Sequence, residues 1–413
     1  MNDQNQININ NDELRIAFEG EQMSKKTKRS KKNLTLSLIG VAGLIGGAAM
    51  LLVNFLVLNK PQGEINFGNK ETNDSSSDVY SDLTGEKLAD ASLKTAPTYC
   101  IQTPNGTDGA RPQSGIKEAG VVFEAIAEAG ITRFAAIYQN PTSAVIGPIR
   151  SLRIYYLQWD TPFDCTIVHA GGADDALAAV ASGGYKDLSE NYQYMYRGTY
   201  SNRLWNNLFT TASYLKQFSS DKGYTTSNVK GFTRMTPAES NKSRADNLAV
   251  NKLEITKPAG GNTSELAAKV TSVNLRLGGW SSFNVRYDYD AESNTYLRSY
   301  ENGNAHEVYQ CSGEDLGEKN PEDICSLSQV SPSVVVAMIV KETKASDNYH
   351  EDITAIGSGK AYILQNGIAI EGTWNKASAG EQIKFLDTDG NEIKLAPGQT
   401  FVTAVPDYGS VEF

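Results

Sequence analysis

The chain has 413 residues, with 38 Lys or Arg against 48 Asp or Glu, and its formal net charge is −10. Its composition, 40% hydrophobic and 21% charged, excludes a wholly disordered chain, a collagen and a coiled coil. The acidic balance argues against a nucleic-acid-binding protein, although residues 1–60 alone hold eight basic and five acidic side chains.

The first predicted element is a membrane-spanning helix over residues 34–58, a run of 25 residues without a charge. At about 1.5 Å per residue, this helix would reach ~37 Å and cross a hydrocarbon core of ~30 Å. The basic run KKTKRSKK at 25–32 precedes it, so we expect residues 1–33 to form a cytoplasmic tail and the body to lie outside the cell. A cleaved signal peptide is the alternative, but its apolar region is shorter, at about 7–15 residues. Because Cys100 is the first cysteine, the expected anchor is this single-pass helix and not a lipid-modified cysteine.

The external part is predicted to hold two folded domains. Residues 59–95 are polar, as is typical of a flexible spacer. Strand and helix patterns alternate over residues 96–245, including helices over Ser151–Trp159 and Arg203–Phe218, and this alternation predicts an α/β domain. After a linker over residues 246–269, successive strand patterns with hairpin turns predict a mostly antiparallel β domain over 270–406 and a short tail over 407–413.

All four cysteines, Cys100, Cys165, Cys311 and Cys325, fall in the part expected to lie outside the cell, where disulfides persist. Cys311 and Cys325 bracket a short polar segment, which favours pairing them. Cys100 and Cys165 lie in apolar segments that could be neighbouring strands. No CxxC is present, so we do not expect zinc or thioredoxin-type redox chemistry.

The densest polar cluster follows, between residues 111 and 175. Glu124 and Glu128 are four residues apart, so we expect them on one face whether the segment is helix or strand. Arg150 and Arg153 flank the predicted start of a helix, with Ser151 expected as its N-cap. Because a helix N-terminus disfavours cations, two arginines there indicate a negatively charged partner.

Two interpretations of these arginines remain open. Together with Arg111 and Arg133, they would hold a phosphate, pyrophosphate or carboxylate by bidentate hydrogen bonds. Alternatively, they form internal ion pairs with Glu124, Glu128 or Asp160 and bind nothing.

A second candidate site lies at His169-Ala-Gly-Gly, with Asp174 shortly after it, where a predicted strand ends and a helix begins. Open α/β sheets place ligands at such strand ends, and the glycines would allow the backbone to approach closely. The alternative is a connection that merely needs small residues, with His169 hydrogen-bonded inside.

No motif predicts a resident metal or cofactor. The three histidines are far apart in the sequence, and the GSGK at 357–360 lacks the spacing of a phosphate-binding loop. No catalytic signature is present, so the sequence leaves open whether the chain is an enzyme, and it names no protein partner.

An ordered set of motifs resembles the YerB-like lipoprotein family, whose biochemical function is unassigned. The motifs are ARPQSGIKEA (110–119), VFEA (122–125), GITRF (130–134), GPIRSLR (147–153), VHAGG (168–172), HEDI (350–353), GSGKAY (357–362), GTWNK (372–376) and PGQT (397–400). The resemblance runs from about Leu83 to Pro406 and implies an extracytoplasmic bacterial protein with an N-terminal and a C-terminal family domain. Members are typically lipid-anchored through a cysteine, whereas this chain has the apolar run instead.

The order of Thr132-Arg133, Pro148-x-Arg150 and Ala170-Gly-Gly is also loosely similar to the LytR–CpsA–Psr transferases. That likeness implies an alternative function, the transfer of a glycopolymer from a lipid pyrophosphate to cell wall, with Glu124 or Glu128 binding Mg²⁺ or acting as base. The leading hypothesis is a cell-envelope protein that binds an anionic envelope ligand near Arg150. A third is a non-catalytic interaction scaffold whose arginines are all ion-paired.

Overall fold

The computed structural model describes residues 78–199, 201, 203–249, 267–311 and 318–413. The predicted cytoplasmic tail, the membrane-spanning run 34–58 and most of the spacer lie outside the described residues. Within the described ranges, no helix is long and apolar enough to cross a membrane.

Between residues 98 and 209, the strands of the described chain are β1 Thr98–Pro104, β2 Val121–Glu128, β3 Ile131–Gln139, β4 Thr166–Val168, β5 Lys186–Leu188, β6 Tyr196–Arg197 and β7 Leu208–Phe209. Strands continue after residue 266 as β8 Ala267–Lys269, β9 Ser272–Arg276, β10 Val285–Asp290, β11 Thr295–Tyr300, β12 Glu307–Gln310, β13 Ser326–Gln329, β14 Val334–Val340, β15 Glu342–Lys344, β16 Glu351–Ile353, β17 Gly357–Gln365, β18 Ile368–Lys376, β19 Lys384–Leu386, β20 Thr400–Pro406 and β21 Ser410–Glu412. The α-helices of the described ranges are α1 Ile154–Asp160, α2 Asp174–Ala181, α3 Ala212–Lys222, α4 Pro237–Ala249 and α5 Pro321–Ile324.

One sheet runs through most of these strands, in the order β19-β18-β17-β14-β20-β2-β3-β1-β4-β5, with β8 added beside β18. The early and late parts of the chain meet where β2 pairs in parallel with β20, from Val121 opposite Thr400 to Glu124 opposite Thr403. Early strands pair in both senses, whereas β14, β17, β18 and β19 pair antiparallel with one another, and β14 pairs in parallel with β20 on its other side. The predicted class is therefore confirmed at this level: a mixed α/β N-terminal region and mostly antiparallel C-terminal sheets. The predicted domain boundaries stay predictions.

Both faces of this sheet are covered. Helix α1 packs on one face, where Tyr155, Tyr156 and Trp159 are buried with Phe123. On the other face, β2 and β3 pack against Leu215 of α3. A four-stranded sheet in the order β11-β10-β9-β21 covers the C-terminal strands of that same face. Alternating side chains of β2 therefore enter different cores, as the period of two in a strand requires.

Two local predictions are corrected. The helix predicted over Ser151–Trp159 begins only at Ile154, with Arg153 at its N-cap. Leu152 is extended there and pairs with the 171–173 segment: its N–H donates to the Gly171 carbonyl, and its own carbonyl accepts from the Ala173 N–H. The helix predicted over Arg203–Phe218 is a short 3₁₀ turn at Leu204–Asn206, then β7, then α3.

Part of the predicted spacer is structured within the described residues. Residues 78–95, assigned above to the flexible spacer, include a 3₁₀ helix at Ala91–Thr95. Leu83 is buried in the main core, and its carbonyl accepts a hydrogen bond from Arg234 at 2.7 Å. These residues therefore belong to the body.

The four cysteines form two disulfides, and one of them is the Cys311–Cys325 pair that the sequence favours. Cys100 in β1 is bonded to Cys165 immediately before β4, the strand that pairs with β1. Cys311 is bonded to Cys325 across a sequence separation of 14. The expectation of disulfides is confirmed.

Candidate functional site

A β-bulge decides where the two glutamates point. The β2–β3 register runs regularly from Val121 to Ile126 and shifts between Ile126 and Glu128. Glu124 accepts a hydrogen bond from Thr132, whereas Glu128 is paired with Arg133, the next residue of β3. Because successive strand residues point to opposite faces, the two carboxylates lie on opposite faces of the sheet. The expectation of one common face is wrong, since it assumed a regular strand.

Three arginines converge on the Glu128 carboxylate. Arg133 donates to its Oε1 at 2.7 Å, Arg153 donates to its Oε2, and the Nη2 of Arg150 lies 3.9 Å from its Oε1. The side chains of Arg133 and Arg153 are buried, while that of Arg150 is 27% exposed. One negative charge therefore faces three positive charges, and Arg150 is the arginine that solvent reaches.

The charges of this cluster shift its titration. Burial would raise the pKa of Glu128, but Arg133 and Arg153 outweigh it and hold that pKa below its ordinary value. Burial lowers the pKa of Arg133 to about 10, against the opposing effect of Glu128. Burial likewise lowers the pKa of Arg150. The cluster thus has more positive than negative charge, and its groups are largely buried from solvent.

Hydrogen-bonding capacity also remains unused here. The Nε atoms of Arg133, Arg150 and Arg153 are buried and, among the described residues, have no hydrogen-bond partner. A buried N–H without an acceptor is costly, and native proteins usually satisfy it with protein, water or ligand. The three Nε–H groups can therefore donate hydrogen bonds to further acceptor atoms, such as those of a ligand.

The cluster opens into a cavity of about 410 Å³. Its lining consists of Pro104, Asn105, Gly106, Asp108, Glu128, Ile131, Thr132, Arg133, Arg150, Trp205, Asn206 and Tyr349. These residues come from the end of β1, the β2–β3 hairpin, the 204–206 turn and the loop between β15 and β16. Asp108 is held by Trp205 Nε1 at 3.0 Å and by Asn206 Nδ2 at 3.1 Å.

Glu124 lies outside the cavity lining and belongs to the buried core. It is fully buried and accepts two hydrogen bonds from Nη2 of Arg298, one on each carboxylate oxygen. Asn105 connects it to the cavity, donating from Nδ2 to Thr132 at 2.7 Å and to Glu124 at 3.3 Å. Glu124 is therefore a structural partner of Arg298.

The remaining sequence candidates lie outside the cavity lining. The Arg111 guanidinium lies 3.9 Å from the ring centroid of Tyr300, and its Nε donates to Asn105 at 2.9 Å. The buried His169 ring contacts the Gly171 carbonyl at 2.7 Å and Asp187 at 2.9 Å, which matches the alternative of an internal histidine. Asp174 is exposed in the first turn of α2. The structure thus gathers Glu128, Arg133, Arg150 and Arg153, and leaves the other four apart.

Sequence reasoning missed most of the polar and aromatic lining. Asn105, Asp108, Trp205, Asn206 and Tyr349 lie in turns and loops that no motif marks. Trp205 lies in the segment predicted as a helix over Arg203–Phe218, where apolar neighbours at Leu204, Leu208 and Phe209 indicated a buried position, so the sequence did not mark it as exposed. No signal predicted that Tyr349 would reach the arginines, because its approach depends on pairing between distant strands.

Fold and cavity together define a mixed α/β sheet protein with an arginine-lined polar cavity. Residues 83–225 match the family model described as the N-terminal domain of a protein of unknown function (DUF3048), and residues 273–402 match the model of its C-terminal domain. The chain belongs to this family.

Two comparisons agree with this assignment. The chain is 27% identical over 337 residues to the "Putative lipoprotein YerB" of Bacillus subtilis (strain 168), which covers 81% of this chain and 88% of that protein. It is also similar to the crystal structure of the YerB protein from Bacillus subtilis, with a TM-score of 0.62 and 23% identity over 81% of this chain and all of that one. The resemblance inferred from the motifs is confirmed.

Proposed function

We propose that this chain is a membrane-anchored, extracytoplasmic cell-envelope protein that binds an anionic ligand of the phosphate or pyrophosphate class at Arg150. The observation that carries the proposal is the convergence of three arginines on Glu128 at an open cavity. Three guanidinium groups exceed the charge of one carboxylate, and even with Asp108 the local sum stays positive. Arginine forks match the geometry of phosphate oxygens.

Arg150 is the group that a ligand would engage. Its contact with Glu128 is long, at 3.9 Å, its side chain is partly exposed, and its Nε is unpartnered among the described residues. Arg133 and Arg153 lie deeper and are held by backbone carbonyls, those of Ser151 and Leu152. They supply a fixed positive field, while Arg150 can reorient toward an incoming anion.

The geometry favours binding over phosphoryl transfer. The transferase alternative needs Glu124 or Glu128 to bind Mg²⁺ or to take a proton. Glu124 is fully buried against Arg298, and Glu128 is shared among arginines that keep its pKa low. Neither carboxylate is placed as a base or as a metal ligand would be.

The cellular location is part of the proposal. It is supported by the uncharged run 34–58 with its basic N-terminal flank, by two disulfides, and by a relative named as a lipoprotein. The test is fractionation of cells that express the full chain. We expect it to remain in membranes after a high-salt wash and to be cut by protease added to intact protoplasts. Release by salt, or protection from the protease, would contradict this topology.

Anion binding is tested by calorimetric titration of the purified full chain with pyrophosphate. We expect Arg150→Gln to weaken binding by at least about tenfold, since it removes the reachable charge. Arg286→Gln is the matched control, because Arg286 is 42% exposed and paired with Asp288 away from the cavity. Equal affinity of the wild type and Arg150→Gln would refute the site.

A further inference from the structure

Arg150 and Trp205 belong to two cavities at once. Besides the cavity at Glu128, both residues line a second cavity of about 280 Å³, together with Ile149, Ala170, Glu190, Arg197, Leu204 and Leu208. The two spaces therefore adjoin at Arg150 and Trp205, and we call the two together the Arg150 groove. A single phosphate would occupy a small part of it, so the groove has room for a larger group attached to the anion.

Two large aromatic side chains line this groove with their rings in solvent. Trp205 is 46% exposed and Tyr349 is 56% exposed, and both belong to the first cavity. The Trp205 indole is held by its hydrogen bond to Asp108, and the Arg203 guanidinium lies 5.4 Å from its ring centroid. The ring is thus fixed in position without being buried. Exposed, fixed aromatic faces beside polar groups are typical of ligand contacts.

The rest of the lining is polar on several sides. Asn105, Asp108 and Asn206 place amide and carboxylate groups around the first cavity, and Glu190 and Arg197 do so at the second. A sugar ring has this same division, with C–H groups on its faces and hydroxyl groups around its rim. The electron-rich face of an indole attracts those C–H groups, while amides and carboxylates bind hydroxyls.

We propose that the Arg150 groove binds a phosphorylated saccharide, with the phosphate at Arg150 and a sugar ring against Trp205. The proposal rests on the anion site at Arg150 and names its ligand class. A nucleotide would also bring a phosphate and a flat face, but its base carries ring nitrogens and exocyclic groups in the ring plane and no hydroxyl groups. The groups that surround this groove fit a ring of hydroxyls better.

The test is calorimetric titration of the full chain with glucose 1-phosphate, galactose 1-phosphate, N-acetylglucosamine 1-phosphate, inorganic phosphate, methyl glucoside and adenosine monophosphate. Stacking on a ring face needs only C–H groups, so we expect at least one sugar phosphate to bind about tenfold more tightly than inorganic phosphate. Trp205→Ala should remove this gain, so that in the variant no sugar phosphate binds more tightly than inorganic phosphate. Trp205→Phe should restore part of the gain, because it keeps an aromatic face. Phe413→Ala, at an aromatic residue that is 57% exposed outside the groove, should change nothing.

The outcomes separate this proposal from the one on which it rests. If inorganic phosphate binds and no sugar phosphate binds more tightly, the saccharide is refuted and the anion site stands. Tighter binding of adenosine monophosphate than of every sugar phosphate also refutes the saccharide, as does unchanged sugar-phosphate affinity in Trp205→Ala. If neither inorganic phosphate nor any sugar phosphate binds, the saccharide is refuted, and the anion site then stands or fails on the pyrophosphate titration.

Discussion

Nη2 of Arg298 donates hydrogen bonds to both carboxylate oxygens of Glu124, at 2.9 Å to Oε1 and 2.8 Å to Oε2, although the two residues are 174 positions apart in the chain. Both side chains have zero solvent exposure. Burial alone would lower the pKa of Arg298, yet the Glu124 charge beside it raises that pKa above its ordinary value. This pair joins β11 of the four-stranded sheet to β2 of the main sheet, and so connects the early and late parts of the body.

We expect Arg298→Met to lower the free energy of unfolding by about 3–5 kcal/mol, because it leaves the Glu124 charge buried without a partner. The double variant Glu124→Gln/Arg298→Met should regain about half of that loss, since no buried charge remains. Urea unfolding followed by circular dichroism measures both. A double variant that is no more stable than Arg298→Met would show that the ion pair itself, and not the orphaned carboxylate, sets the stability.

The fold was largely predictable from local patterns. The strand around Val336 is a continuous apolar run, and the strands around Cys100 and Phe401 hold short apolar stretches, which are marked in the sequence. The start of α1 was misplaced because Leu152 pairs with the backbone of residues 171–173, and its carbonyl accepts from Ala173 instead of from the next turn of a helix. A contact between separate segments of the chain leaves no local pattern.

The site was predictable in its charges and not in its geometry. Arg133, Arg150 and Arg153 were already candidate anion-binding residues in the sequence. The extra residue of the bulge before Glu128 turns its side chain to the other face, and a bulge without glycine has no sequence signal. The partner of Glu124 lies in β11, so nothing near Glu124 in the sequence indicated Arg298.

The two disulfides should contribute unequally to stability. A cross-link lowers the entropy of the unfolded chain more as the closed loop lengthens, and the sequence separations are 65 for Cys100–Cys165 and 14 for Cys311–Cys325. Loop-closure entropy predicts a loss of about 4 kcal/mol for Cys100→Ala/Cys165→Ala and about 3 kcal/mol for Cys311→Ala/Cys325→Ala. Cavity formation at the buried Cys100 adds to the first value. Thermal unfolding of the two double variants compares them, and an equal or larger loss at Cys311–Cys325 would contradict the ranking.

Glu342 should make stability depend on pH. Burial raises its pKa to about 7, with Glu351 and Asp407 raising it further and Tyr408 and Lys344 opposing. In the unfolded chain, its pKa is near the ordinary value of about 4.3. The folded state therefore binds the extra proton between these values, so stability is highest below about pH 4.3 and falls as the pH rises toward 7.

Glu342→Gln removes this titration. We expect the variant to lose that fall, whose size is about 2 kcal/mol, and to be more stable than the wild type at pH 8. Urea unfolding at pH 5, 6, 7 and 8 gives the profile of each protein. Glu371→Gln, at an exposed carboxylate paired with Lys360, is the control and should keep the wild-type slope. Parallel profiles for the wild type and Glu342→Gln would rule out Glu342 as the source.

Glu128 occupies the position at the arginines that an anionic ligand would share. Glu128→Gln removes its charge with little change of shape, so three arginines would repel one another at the cavity. We expect the free energy of unfolding to fall by about 3 kcal/mol and the affinity for pyrophosphate to rise about tenfold. Pyrophosphate should then raise the melting temperature of the variant more than that of the wild type, because a ligand that binds the folded state stabilises it. Glu301→Gln, which breaks an exposed pair with Arg276, should show neither effect. If pyrophosphate raises both melting temperatures equally, the carboxylate and the anion do not compete, and the ligand binds elsewhere.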